Sequence, residues 1–182
     1  WDKVQYIFRN YYDGMIHLAY LVDKRGDYSH LDFERRKSIF WAIFYFSSKV
    51  KVKIRTVVID KKYINKKMQL NVALAREISN FINENKEYIN SFDKVVIYYD
   101  NGQETLATIL DTLFASYPNV ERRIEFDHKK KRLFQVSDML TVIDKLDYKR
   151  KNNIPFTKSE KYFFNGKDFR HIINLLKKKR IW

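Results

Sequence analysis

The chain has 182 residues, enough for one domain with a sizeable core and short of what two usually need, and its 45% hydrophobic and 16% aromatic content argues against disorder. It has no cysteine, which excludes a disulfide framework and a Cys-based zinc site and leads us to expect an intracellular, cytoplasmic protein. Lys and Arg number 36 against 22 Asp and Glu, a net charge of +14 and a pI near 9.7, which calls for a polyanionic partner, with nucleic acid ahead of an acidic membrane surface.

The charge is uneven. Residues 1–119 hold 18 basic and 14 acidic side chains, whereas residues 120–182 hold 18 and 8, so the excess lies in the last third. A lysine-rich proteome from an AT-rich genome is the competing explanation. No apolar run approaches the roughly 18 residues that a membrane span needs, and no signal-peptide pattern is present. The chain opens on Trp1 with no initiator Met, and we expect it to be incomplete at its beginning.

In chain order, Val4, Ile7, Phe8 and Tyr11 fall at helical spacing before Gly14. Met15 to Val22 is a nearly continuous apolar run of strand length, with His17 inside it as a hydrogen-bonded core residue. A polar loop around Gly26 follows, and Ser29 with Asp32 has capping-box spacing for a helix that carries Phe33, Phe40, Ile43 and Phe44. Trp41, Tyr45 and Phe46 widen its apolar arc, as in a helix packed on a sheet or facing a further partner. Lys51 to Asp60 alternates like a strand half open to solvent, and Met68 to Ile89 reads as one long helix.

Val95 to Phe114 is the stretch around which the rest is arranged. Val95 to Tyr99 reads as a buried strand, Asp100 ends it, Asn101 and Gly102 turn, and Leu106, Ile109, Leu110, Leu113 and Phe114 mark one face of a helix. An acid at the C-terminal edge of a central strand sits where open α/β sheets place their chemistry, and equally where helix caps occur. Val120, Ile124 and Phe126 alternate as another strand, and Asp127 to Arg132 is the densest basic run. Leu133 to Lys149 returns to helix with Asp138 inside its apolar pattern. A carboxylate there costs several kcal/mol unless it is paired or binds a metal. Thr157 with Glu160 forms a second capping box for a short helix ending at Gly166, and Phe169, Ile172, Ile173 and Leu176 face the core from a last helix before a frayed basic tail. This alternation of helices and strands predicts an α/β fold with a largely parallel sheet, in one domain over 1–182 whose residues 150–182 form a basic helical extension.

Nucleotide-binding glycine loops, zinc-protease helices and hydrolase elbows are all missing, and the four histidines are too dispersed for a local metal cluster. The acids remain. Two-metal phosphodiester hydrolysis needs carboxylates that hold Mg²⁺ or Mn²⁺, hard cations that take oxygen ligands.

The stretches Ile16 to Val22, Asp32 to Phe46, Val57 to Lys62, Phe92 to Gln103, Arg132 to Leu146 and Lys158 to Arg170 resemble, in order and spacing, the domain of unknown function 3800 family, placed among ribonuclease-H-like folds. The resemblance implies a ribonuclease-H-like mixed sheet flanked by helices, with Asp100 and Asp138 facing one acidic centre. Members of that family usually begin with a strand ending in Asp-Glu-Ser-Gly, which this chain lacks.

The expected function is therefore a metal-dependent nuclease or nuclease-like nucleic-acid processing protein. Asp100 and Asp138 hold Mg²⁺ or Mn²⁺, Gln103 and Gln135 orient water or phosphate, and Lys129, Lys130, Lys131 and Arg132 contact the backbone. The alternative is a catalytically inactive nucleic-acid-binding or protein-interaction subunit, of a bacterial defence or mobile-element system.

Overall fold

Helix α1, Leu18–Asp23, occupies the middle of the run that reads as a strand in sequence. A computed structural model describes residues 15–60, 64, 66–99, 104–123 and 132–180. Leu18, Leu21 and Val22, spaced i, i+3 and i+4, are buried while Ala19 and Tyr20 are exposed, so the run sorts its faces with helical period. A short apolar run is ambiguous between the two periods, and tertiary partners at its ends decide it.

A 3₁₀ turn, Gly26–Tyr28, leads to α2, Phe33–Lys49. The Asp32 side chain accepts the Arg35 N–H at 2.7 Å and caps α2, three residues after the Ser29 that the capping-box spacing would make the N-cap; Ser29 instead ends the 3₁₀ turn. Helix α3, Lys67–Glu84, and helix α4, Lys86–Asn90, share the segment expected as one helix, with a break at Asn85, whose backbone (φ −115°, ψ 18°) leaves the helical region. Strand β1, Val95–Tyr98, is followed by α5, Glu104–Phe114, and β2, Val120–Arg123. The remaining helices are α6, Arg132–Lys151, α7, Lys158–Phe163, and α8, Gly166–Lys177.

The sheet is small. Strands β1 and β2 pair in parallel, Val95 opposite Val120 through Tyr98 opposite Arg123, and they form the whole of the sheet found among the described residues. Of those residues 65% are helical and 7% lie in strands, which overturns the expected ribonuclease-H-like mixed sheet flanked by helices. Two expected strands account for the difference. Met15 to Val22 folds into α1, and Lys51 to Asp60 contributes a single parallel bridge, Ile54 with Arg180. The β-branched alternation of the latter segment is spent on packing: Ile54 is buried in the helical core instead of extending a ladder.

The chain divides into two compact units, Trp1–Thr56 with Asp127–Trp182, and Val57–Phe126. The first is helical. Its core gathers Phe40, Phe44, Ile43, Met139, Ile143 and Phe163, each at most 1% exposed, from α2, α6 and α7. Phe40 lies at the centre, stacked on Phe44 and edge-on to Trp41, Phe163 and Phe164 at 5.1–5.9 Å. Most of the aromatic arc of α2 is thus taken up by helix–helix packing, while Tyr45 stays exposed. Arg36 is buried with its Nη1 donating to the Leu21 and Val22 carbonyls at 2.7 and 3.1 Å, which satisfies the C-terminal end of α1.

The second unit holds β1, β2, α3, α4 and α5 around Ile82, Ile89 and Tyr117. Asn119 donates to the Ile89 and Phe92 carbonyls at 2.9 and 3.0 Å and so holds the end of α4 against the start of β2. Arg122 on β2 grips Asp111 on α5 with two bonds of 2.5 and 2.7 Å.

Candidate functional site

Of the residues singled out in the sequence, Asp100, Gln103, Lys129, Lys130 and Lys131 lie outside the described residues, as do residues 2–12 with their helical spacing. Asp138, Gln135 and Arg132 are described, all on α6. The Asp138 carboxylate accepts the backbone N–H of Leu18 at 2.9 Å, across 120 residues of sequence. It caps α1, placing negative charge where the helix carries partial positive charge. Gln135, one turn before it, is fully buried and accepts from Arg132 Nη1 at 3.0 Å. Arg132 is half-buried and directs its guanidinium at that amide. Among the described residues no group of three or more His, Asp or Glu gathers as metal ligands would.

Four further acids of the helical unit, Asp144, Asp147, Glu160 and Asp168, are also engaged by the protein itself. Asp144 is gripped by Arg180 and by the Thr56 hydroxyl. Asp147 receives Arg150 at 2.7 Å and Lys151 at 2.8 Å, and Glu160 receives Lys149 at 2.7 Å together with the Thr157 N–H at 2.8 Å. Burial pushes the Asp147 carboxyl up, but the hydrogen bonds from Lys151 and Arg150 outweigh it and hold the group below the ordinary Asp range. Glu160 behaves alike: burial raises it, and Lys149 with the Thr157 backbone brings it below the usual Glu value. Asp168 pairs with Lys37 at 2.8 Å and accepts from Asn165.

On the last helix the outward charge is basic. Helix α8 buries Phe169, Ile172, Ile173 and Leu176 and exposes Lys167, Arg170, His171, Asn174, Lys177 and Lys178. At 100° per residue these six span about a third of the helix circumference, over roughly 16 Å of its length. Asp168 is the one acid of α8, and Lys37 has claimed it. Among the described residues none of the four cations, Lys167, Arg170, Lys177 and Lys178, has an ion-pair partner, and all four are exposed to solvent.

Sequence reasoning passed over this face because it followed the apolar side of α8 and the denser run Asp127 to Arg132. The signal was present: basic and polar residues at i, i+3, i+4, i+7, i+10 and i+11 from Lys167. Comparison with protein-family models, curated proteins and solved structures finds no match to this chain. No helix among the described residues is long and apolar enough to cross a membrane.

Proposed function

We propose that this chain is a nucleic-acid-binding protein that works by charge, the non-catalytic of the two functions expected from its sequence. The observation that carries the reading is the unpaired basic stripe of α8, Lys167, Arg170, Lys177 and Lys178, in a chain of net charge +14. Cations fixed on a rigid helix release counterions from a phosphate backbone and supply affinity without a base code. A membrane surface fits less well, because the apolar side of α8 is committed to the core and leaves nothing to insert between lipids. Two-metal hydrolysis through Asp100 and Asp138 is not part of this proposal: Asp138 Oδ2 caps α1 through the Leu18 N–H, and among the described residues it belongs to no group of three or more potential metal ligands.

The test is anisotropy of labelled oligonucleotides titrated with the full chain at several salt concentrations. Wild type binds, affinity falls steeply with salt, and the triple variant Lys167→Glu, Arg170→Glu, Lys177→Glu loses binding while its circular dichroism is unchanged. Equal affinity of wild type and triple variant overturns the reading, and so does cleavage of the oligonucleotide in Mn²⁺.

A further inference from the structure

Helices α7 and α8 follow one another with only Phe164 and Asn165 between them, and they repeat one pattern. In α7 it is Lys158, Lys161 and Tyr162; nine residues on, in α8, it is Lys167, Arg170 and His171. Each triplet is a cation, a second cation three residues later, and a planar ring at the fourth. All six side chains are exposed, while the residue in the middle of each motif, Glu160 or Phe169, is buried. Spacing of i, i+3 and i+4 places the three members of each triplet on one face of their helix.

Tyr162 is held, not loose. Its ring packs on Phe33 at 4.7 Å and yet the residue is 65% exposed, so one side of the ring is buttressed and much of the rest faces solvent. Phe33 lies 5.9 Å from Lys37 Nζ, and Lys37 binds both the Phe163 carbonyl at 3.0 Å and Asp168 at 2.8 Å. These contacts link Tyr162, through Phe33 and Lys37, to Asp168 in the first turn of α8. Among the described residues the His171 side chain has no ring contact or hydrogen bond.

A cation pair beside a presented ring is the arrangement that a single strand needs. Phosphates meet the charges, and an unpaired base lays its face on the ring. A duplex keeps its bases stacked inside and has use for the cations alone. We therefore infer that α7 and α8 form a platform for single-stranded nucleic acid, with Tyr162 and His171 stacking bases and Lys158, Lys161, Lys167 and Arg170 neutralising the backbone between them. This rests on the nucleic-acid-binding reading above and adds the form of the strand.

The experiment compares single-stranded DNA, single-stranded RNA and duplex DNA as labelled probes of the full chain and its ring variants. Tyr162→Ala and His171→Ala each lower single-strand affinity by about five- to a hundredfold and leave duplex affinity unchanged. Tyr162→Leu keeps the contact with Phe33 but has no ring, so it behaves as Tyr162→Ala, while Tyr162→Phe binds as wild type. The ring variants leave the slope of log affinity against log salt unchanged, whereas Lys158→Gln with Lys161→Gln makes it shallower. The relative loss on DNA and RNA decides which of the two strands the platform prefers. Ring variants that bind single strands like wild type, while the triple charge variant of α8 loses binding, overturn the platform and leave the broader function standing. Failure of wild type to bind any probe overturns both.

Discussion

The carboxylate of Asp138 on α6 accepts the backbone N–H of Leu18 at 2.9 Å, so an acid 120 residues away caps the start of α1. The preceding residue, His17, offers no side-chain cap; its N–H instead donates to the Tyr28 hydroxyl at 3.1 Å. Asp138→Ala is expected to cost about 1 kcal/mol, the usual worth of such a cap, and Asp138→Asn less, because an amide oxygen still accepts. Urea denaturation of the full chain measures both. A loss below the error of the measurement for Asp138→Ala removes the cap from the account of α1.

Of the basic tail, which reads as frayed, the described residues Lys179 and Arg180 are fastened. The Ile54 N–H donates to the Lys179 carbonyl at 2.9 Å, Lys179 Nζ donates to the Val50 carbonyl at 2.6 Å, and Arg180 grips Asp144, only 5% exposed. Arg180→Met leaves a buried carboxylate without its cation and is expected to destabilise by about 3 kcal/mol. Double substitution of Arg180→Met with Asp144→Leu recovers part of that loss, since the penalty belongs to the unpaired charge. A double variant as unstable as the single one argues for another cause.

Stability should fall in acid through Asp147 and Glu160. Both carboxyls titrate lower in the folded chain than their ordinary values of 3.8 and 4.5. The unfolded chain therefore takes up these protons first. The stabilisation is fully present above those ordinary values and is lost as pH falls through them toward the folded ones. Unfolding free energy measured from neutral pH down to about pH 3 tests this. In Lys149→Met the Glu160 part of the acid slope shrinks, and the variant is less stable at neutral pH by about 1–3 kcal/mol. An unchanged acid slope in that variant removes Glu160 from the explanation.

Salt dependence separates backbone contacts from all others. For a single strand the slope of log affinity against log salt is about −0.7 per phosphate neutralised, so each cation removed from the α8 stripe should make it shallower by about that amount. Lys167→Gln, Lys177→Gln and Lys178→Gln, tested singly and together, should add nearly independently. Lys24→Gln and Lys49→Gln, exposed positions outside α7 and α8, serve as controls that leave the slope unchanged. Equal effects of stripe and control substitutions point to a diffuse field instead of a face.

Much of the helical part was legible because its signals are local. Thr157 and Glu160 form the capping box that their spacing announces, Asp32 caps α2, and α8 buries the four apolar residues that its period selects. Strand β1 was legible for the same reason, as a short β-branched run, but it is half-buried with Tyr98 exposed where a fully covered strand was expected. The site was less so. The charge excess of the last third pointed to a polyanion, but the eye went to Lys129, Lys130, Lys131 and Arg132, of which Arg132 is drawn to Gln135.

What composition and spacing determined by themselves is the number of helices in the last third, their buried faces, and a surplus of cations in search of anions. What only the tertiary structure decided is which acids remain available and which cations remain unpaired. That depends on pairs such as Lys37 with Asp168, Arg180 with Asp144 and Leu18 with Asp138, separated by 131, 36 and 120 residues. Pairing at such separation follows from packing a core, where burial makes an unmatched charge costly, and no local period records it. The same physics kept Met15 to Val22 and Lys51 to Asp60 out of a sheet, because side chains fit for a strand were worth more against neighbouring helices.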